Sequence, residues 1–142
     1  MNDSAAPLID VKGLVHTYVP GTPLETRALQ GVDFRVHAGD AVGIVGPTGS
    51  GKSTLLQHLN GLLRPQRGTV LVGGLSLYDP NVDIRAIRQR VGLLFQNPED
   101  QRFERYAGDD VAFGPRNLGL PSDQVRERVR RAMEMVRLPF AY

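Results

Sequence analysis

The sequence predicts an α/β fold with a mainly parallel sheet around a glycine-rich loop, preceded by an antiparallel β region. Three observations support this class. A glycine-rich run occupies residues 46–53, continuous apolar segments lie at 41–45 and 91–95, and leucines recur at helical spacing from 55 to 63. Apolar strands that alternate with helices are typical of a parallel sheet covered on both faces.

The first forty residues predict a hairpin. Residues 8–18 alternate loosely between apolar and polar side chains, and residues 27–36 place apolar side chains at 29, 32, 34 and 36. Such alternation predicts strands buried on one face. Turn sequences at 20–23 and 37–40 follow the two strands. We therefore expect an antiparallel pair beside the main core.

The central segment alternates between strand and helix patterns. The apolar strand 41–45 leads through the glycine-rich run into a leucine-rich helix, which Gly61 and Pro65 are expected to end. A short strand at 69–72, a short helix at about 82–89 and a buried strand at 91–95 follow. This order predicts strands and helices wound around the glycine-rich loop.

The last third is predicted to be helical. A helical turn at 109–113 is expected to stop at Gly114 and Pro115. Ser122 is expected to cap a final helix, because serine accepts hydrogen bonds from exposed N–H groups at helix starts. Its apolar stripe consists of Val125, Val129, Met133 and Val136. The arginines between 126 and 137 are predicted to form its solvated face.

Composition excludes several classes of protein. The 142 residues include no cysteine, so disulfides, thiolate zinc sites and cysteine nucleophiles are excluded. Apolar runs are far shorter than the ~20 residues that a membrane span needs. A net charge of +2 does not by itself indicate nucleic-acid binding. We expect a cytoplasmic protein with no membrane span and no nucleic-acid partner.

The run GPTGSGKS at 46–53 fits the pattern G-x-x-x-x-G-K-[ST] of phosphate-binding loops. Glycines let main-chain N–H groups turn inward around phosphate oxygens. Lys52 can bring a charge to the outer phosphates, and Ser53 can offer a hydroxyl to Mg²⁺. The helix that follows aims its positive end at the same place. The alternative is a glycine-rich helix start without a ligand; the pattern favours a nucleoside triphosphate site.

Three segments resemble the nucleotide-binding subunit of ABC transporters: GPTGSGKSTLL at 46–56, NGLLRPQRGTV at 60–70 and VGLLFQNPEDQRF at 91–103. The run NPEDQ after Gln96, with DDVAFGPRNLGL at 109–120, is similar to the energy-coupling factor branch, which includes cobalt, nickel and vitamin importers. The resemblance implies that residues 8–142 are part of such a nucleotide-binding domain, with a helical subdomain starting at about 97. Residues 1–7 are expected to be a disordered N-terminus.

The resemblance also implies the residues of an ATP and Mg²⁺ site. Tyr18 would stack on adenine, Lys52 would stabilise phosphate charge, and Gln96 would position water or Mg²⁺. Ser53 and Gln96 would contact the metal. The remaining ATP contacts are expected from the loop residues Gly46, Pro47, Thr48, Gly49, Ser50, Gly51 and Thr54. From the residues alone, Tyr18 could also be a core tyrosine at a strand end, and Gln96 could satisfy backbone groups.

The sequence departs from the family pattern in two ways. Arg102, Tyr106 and Ala107 replace residues that the resemblance leads one to expect. No LSGGQ-like signature, no apolar run ending in Asp-Glu and no switch histidine is present. The histidines His16, His37 and His58 all precede the switch position and are predicted to be ordinary surface or strand residues. We expect a truncated subunit with little hydrolytic machinery of its own, so ATPase activity of this chain is left open.

The resemblance implies protein partners. A transmembrane coupling subunit and a second ATP-binding subunit, in a homo- or heterodimer, would place the chain on the inner face of the cell membrane. Unpaired sheet edges predict poor solubility or reliance on a partner. Two alternatives remain from the sequence: another P-loop enzyme such as a small-molecule kinase, and a non-hydrolytic nucleotide-binding regulatory protein that pairs with a full-length subunit.

Overall fold

The structure is a computed structural model that describes residues 6–139, except for the side chains of Pro98 and Asp100. The predicted disordered N-terminus therefore lies mostly outside the described residues. The chain divides into two compact units between Leu93 and Leu94.

The described part of the first unit, residues 6–93, contains four strands and two helices. The strands are β1 (Ile9–Tyr18), β2 (Thr26–Val36), β3 (Arg67–Val72) and β4 (Leu75–Ser76), and the helices are α1 (Lys52–Leu59) and α2 (Ile84–Arg88). The strands form one sheet in the order β2-β1-β3-β4, and every neighbouring pair is antiparallel. The predicted hairpin is thus confirmed as the β1–β2 pair, and β3 appears where a short strand was predicted.

A bulge in β1 decides which side chains face the core. Gly13 has a φ of 56°, and the register of β1 against β2 shifts between Val11 and Leu14. A bulge inserts one residue, so the alternation changes from odd to even positions. Val11, Leu14 and His16 are consequently all buried on the same side of the strand.

The core of the first unit lies between this sheet and α1. Leu55 and Leu59 of α1 are buried in one cluster with side chains from the strands and α2, namely Val11, Leu14, Leu29, Val70, Val72, Leu77 and Ile87. The helix ends at Leu59, and Gly61 follows in a left-handed conformation with φ 71°. Glycine favours this conformation at helix ends, so the predicted stop is confirmed.

The structure differs from the sequence prediction in the central sheet. Residues 41–45 and 91–95 form no ladder with any residue in the described part of the chain. The side chain of Val45 is 96% exposed and that of Leu94 is 83% exposed. A strand exists only as a hydrogen-bonded pair. The apolar composition of these two segments therefore did not suffice to make them strands, because no segment of the described chain forms a ladder with them.

The second unit is helical. It contains a 3₁₀ turn (Pro98–Gln101), α3 (Ala107–Asn117) and α4 (Ser122–Met135). Its buried cluster combines Ala112 of α3 with Val125, Val129 and Met133 of α4. These three α4 residues confirm the predicted apolar stripe, whereas Val136 lies beyond the helix and is 66% exposed. Among 6–139, no helix has the length and apolar character required to cross a membrane.

Two helix boundaries differ from the prediction. Helix α3 continues through Gly114 and Pro115 to Asn117. Proline removes the N–H donor of one i→i−4 bond, and this break lies only two residues before the helix ends at Asn117. Helix α4 takes Pro121 as its N-cap without a side-chain hydrogen bond, so Ser122 is the first helical residue and not the cap. The fixed φ of proline suits a chain that is entering a helix.

Candidate phosphate-loop site

The glycine-rich run folds into a tight loop at the start of α1. The Ser50 N–H donates to the Pro47 carbonyl at 3.2 Å, and the Leu55 N–H donates to the Gly51 carbonyl at 2.8 Å as the helix begins. The first turn of α1 contains no acidic residue. The partial positive charge at this helix end is therefore not neutralised by its own side chains, which favours an anion there.

Two glycines permit the close packing of this loop. A Cβ on Gly51 would lie 2.5 Å from the Ala28 carbonyl oxygen of β2, and Gly51 itself has a φ of 89°. A Cβ on Gly46 would lie 2.7 Å from the Ser50 Oγ. Any side chain at Gly51 would therefore combine backbone strain with a steric clash. The loop conformation therefore depends on glycine at Gly51, whereas a side chain at Gly46 would require only that the Ser50 hydroxyl move.

The Lys52 side chain folds back over the loop. Its ammonium donates to the carbonyls of Gly46 and Pro47, each at 2.7 Å, and approaches the Ser50 Oγ at 3.4 Å. Lysine has three donors on a flexible stem, so it can exchange such carbonyl partners for phosphate oxygens. The geometry brings the positive charge of Lys52 to the mouth of the loop.

The first turn of α1 carries two hydroxyl groups that face different surroundings. The side chain of Ser53 is exposed to solvent beside the loop, whereas Thr54 is only 8% exposed. The Thr54 Oγ1 shares a hydrogen bond with the hydroxyl of Tyr18 at 3.2 Å. Ser53 therefore has the accessible oxygen that a Mg²⁺ ligand requires, and the hydroxyl of Thr54 is already engaged by the strand.

Tyr18 lies at the end of β1, with its side chain 38% exposed. Its ring meets the His16 ring edge-on, with centroids 4.6 Å apart and planes at 75°. The tyrosine predicted to stack on a base is thus joined to α1 through its hydroxyl and keeps part of its ring in solvent. This arrangement combines features of both sequence interpretations, because one edge is packed and one part is accessible.

Gln96 belongs to the other unit. It is exposed and follows Phe95, which is itself 40% exposed. The structure therefore brings together the loop, Lys52, Ser53, Thr54 and Tyr18 within the first unit. The roles predicted for Gln96 remain predictions.

Sequence analysis missed the part played by two histidines. His58 was expected to be an ordinary surface or strand residue, but it lies in α1 and is completely buried, and His16 is 9% exposed on β1. His58 Nε2 and His16 Nδ1 have no hydrogen-bond partner among the residues described. The available signal was the spacing of Thr54, Leu55, His58 and Leu59, which places His58 on the buried face of the helix.

Burial affects the ionisation of His58. Its Nδ1 lies 2.7 Å from the Thr54 carbonyl, and because a carbonyl can only accept, Nδ1 must carry the proton. Removal from water lowers the pKa of His58, and the neighbouring His16 lowers it further, against the opposing effect of the Thr54 bond. His58 is therefore neutral near pH 7.

The site contains few groups that could bind a metal without a nucleotide. In the described part of the chain, no three side chains of His, Cys, Asp or Glu lie close enough together to hold an ion. Mg²⁺ would have to bind mainly through phosphate oxygens, with Ser53 as a protein ligand. This requirement agrees with how magnesium usually enters phosphate-loop sites.

Known proteins resemble this chain in sequence. The ABC transporter family model matches residues 29–141. The energy-coupling factor transporter ATP-binding protein EcfA2 of Symbiobacterium thermophilum is 55% identical over 123 residues, which are 87% of this chain and 43% of that relative. The protein EcfA of Methanothermobacter thermautotrophicus is 46% identical over 91% of this chain and 40% of its own length. The chain thus spans less than half of these relatives.

Solved structures agree with the sequence matches. The structure of cbiO1 from Clostridium perfringens, described as part of the ABC transporter complex cbiONQ, superposes with a TM-score of 0.77 at 33% identity, over 94% of this chain and 52% of that one. A dimeric ATP-binding cassette with ADP and phosphate has a TM-score of 0.74 at 24% identity, over 92% and 58%, and supports the fold alone. The predicted α/β class of an incomplete ABC ATPase domain is confirmed, but the sheet of the described residues is antiparallel and not mainly parallel as the sequence predicted. The chain belongs to the ABC transporter family, in its energy-coupling factor branch.

Proposed function

We propose that this chain provides the nucleotide-binding portion of an energy-coupling factor importer subunit, which binds ATP with Mg²⁺ to drive uptake of a metal ion or vitamin. The observation that carries the proposal is the loop at 46–53. Main-chain N–H groups, the uncompensated start of α1 and the Lys52 ammonium meet there. All three favour a polyphosphate anion.

Each residue of the site has a distinct task in this proposal. The loop backbone would bind phosphate oxygens, and Lys52 would move its ammonium from the carbonyls of Gly46 and Pro47 to the outer phosphates. Ser53 would supply one oxygen to Mg²⁺, whose charge offsets that of the phosphates. The accessible part of the Tyr18 ring would stack on the base.

Gln96 is proposed to orient water or Mg²⁺, and the helical subdomain is proposed to begin near residue 97. The partners proposed are a transmembrane coupling subunit and a second ATP-binding subunit, with the assembly at the inner face of the membrane. Two facts support these assignments: the matched relatives are named as transporter ATP-binding proteins, and one similar structure is described as part of a transporter complex.

Binding measurements with the two lysines test the proposed function. The sequence contains only Lys12 and Lys52, so Lys12→Ala is a matched control. Lys12 lies on β1, 3.3 Å from Asp10 and largely exposed. Loss of a charge-assisted phosphate contact should weaken MgATP binding by roughly 10- to 100-fold in Lys52→Ala. Lys12→Ala should bind as the unchanged chain does.

Isothermal titration calorimetry with MgATP gives both affinities, and ADP release in the same samples reports any hydrolysis. Equal MgATP affinity in Lys52→Ala and the unchanged chain would remove Lys52 from the phosphate site. Transfer of phosphate to an added metabolite would favour a small-molecule kinase in place of the transport subunit.

A further inference from the structure

Four side chains join the end of β1 to the first two turns of α1. The strand contributes His16 and Tyr18, and the helix contributes Thr54 and His58. We call these four residues the strand–helix cluster. Three of them are buried, and Tyr18 is the member that reaches the surface.

The cluster is held together by contacts between the two elements. On the helix, residues four apart share a face, which places Thr54 and His58 together. On the strand, the register shifts between His16 and Thr17, and the rings of His16 and Tyr18 are in contact at 4.6 Å between centroids. The Tyr18 hydroxyl lies 3.2 Å from the Thr54 Oγ1, and the two histidine rings meet edge-on at 4.8 Å between centroids.

A third contact makes the helix side rigid. The His58 Nδ1 donates to the Thr54 carbonyl at 2.7 Å, so the two helical members are also joined to each other. His16 then contacts both rings, that of Tyr18 at 4.6 Å and that of His58 at 4.8 Å. The Tyr18 ring is therefore held at its hydroxyl by Thr54 and along its edge by His16.

We propose that Thr54, His16 and His58 are positioning residues that fix the Tyr18 ring relative to the phosphate loop, so that a nucleotide base meets a preformed stacking surface. The inference rests on the proposed function and adds a link between its base and phosphate subsites. Thr54 directly follows Lys52 and Ser53 in the same helical turn. One rigid turn therefore carries both the phosphate ligands and the anchor of the stacking ring.

Holding the ring in advance reduces the conformational entropy that binding would otherwise cost. The effect concerns the base and not the phosphates. Loss of the anchor should weaken binding of MgATP but leave binding of magnesium tripolyphosphate, which has no base, unchanged. A purely structural role of the cluster would instead alter both ligands through the loop.

The test compares the two ligands by calorimetry in the full chain. Tyr18→Phe keeps the ring and removes the hydroxyl, and Thr54→Val keeps the shape and removes its partner. Each should weaken MgATP about three- to tenfold, and Tyr18→Phe should leave tripolyphosphate within about twofold. The double variant should be no weaker than either single one, because both remove the same bond. Thr54→Ser should retain the affinity of the unchanged chain.

The histidine contact has its own matched pair of variants. His16→Leu removes the edge contact and should weaken MgATP about two- to fivefold, again without affecting tripolyphosphate. His37→Leu, at a histidine near Asp40 outside the cluster, should bind both ligands normally. Urea unfolding of each variant shows whether it is folded, and Tyr18→Phe, which alters one partly exposed atom, is the variant least prone to misfold.

Several results would overturn the inference. Additive losses in the double variant would contradict it, and so would unchanged MgATP affinity in Tyr18→Phe. Equal weakening of both ligands by Tyr18→Phe would also contradict it, because the hydroxyl would then act on the phosphate loop and not on the base. These outcomes leave the proposed function intact if MgATP binding still depends on Lys52. An unchanged chain that binds neither ligand would refute both.

Discussion

The contact between Gly51 and β2 gives a quantitative prediction for the stability of the phosphate loop. Three glycines in this region differ in what an added Cβ would meet. At Gly51 it would lie 2.5 Å from the Ala28 carbonyl oxygen and 3.0 Å from Leu29 Cδ2, with φ at 89°. At Gly49, φ is 82° and nothing lies within 4 Å. Gly43 has neither a positive φ nor a neighbour within 4 Å.

Alanine substitutions at these positions distinguish the cost of a left-handed backbone conformation from the cost of a steric clash. Alanine in place of glycine stabilises by about 0.4–1 kcal/mol where the conformation suits it, because it restricts the unfolded chain, and Gly43→Ala should do so. A left-handed conformation costs about 1–2 kcal/mol, so Gly49→Ala should lower the free energy of unfolding by about 0.5–1 kcal/mol. Gly51→Ala adds about 1–3 kcal/mol for overpacking and should lower it by about 2–4 kcal/mol.

Urea unfolding followed by circular dichroism measures these differences, with the slope of the transition checked for constancy. The expected order of stability is Gly43→Ala, the unchanged chain, Gly49→Ala and Gly51→Ala. If Gly51→Ala and Gly49→Ala were equally stable, the close approach of the loop to Ala28 would be refuted. A destabilising Gly43→Ala would contradict the account of 41–45 as an open segment without a strand partner.

Two further predictions concern stability. The pKa of His58 is lowered by burial. As pH falls, the unfolded chain therefore protonates His58 before the folded chain does. The free energy of unfolding should decrease below about pH 6.5, by at most about 1.4 kcal/mol per pH unit, until the pH falls below the pKa of His58 in the folded chain. Urea titrations at pH 5.5 and 7.5 measure this loss of unfolding free energy. The loss should be smaller in His58→Phe than in the unchanged chain and should stay the same in His37→Gln. An undiminished loss in His58→Phe would show that His58 is not its source. Val19 has a φ of 44° and is 53% exposed. Because asparagine tolerates a positive φ better than a β-branched residue does, Val19→Asn should raise the free energy of unfolding by about 0.5–1 kcal/mol in urea titrations. An unchanged or lower free energy of unfolding would show that the backbone at Val19 is not strained.

The phosphate loop and the helical segments could be predicted from residue order alone. The spacing of Gly46, Gly51, Lys52 and Ser53 is a local pattern, and the loop they form is closed by short-range bonds such as that from Ser50 to Pro47. The apolar stripe of α4 is equally local, since a helix bonds only to itself. Local hydrogen bonding makes such elements predictable without knowledge of the partner.

Features that depend on distant residues could not be predicted in this way. Apolar composition indicated strands at 41–45 and 91–95, but a strand requires a ladder with a second segment, and neither belongs to the sheet of the described residues. Helix α3 runs through Pro115 although its sequence indicated a stop. In each case the local preference was real, and the surrounding chain decided whether it was realised.

The sequence alone determined the class of site, because a phosphate cradle needs only neighbouring glycines, one lysine and one hydroxyl in order. The tertiary structure decided how that cradle is connected to Tyr18. Register shifts along β1, at Gly13 and again between His16 and Thr17, interrupt the simple alternation of the strand, and in the folded chain Tyr18 contacts Thr54 and His16 contacts His58. These contacts join residues 36 or more positions apart in the sequence. They arise from the packing of the strand against the helix, and the residue order within either element does not specify that packing.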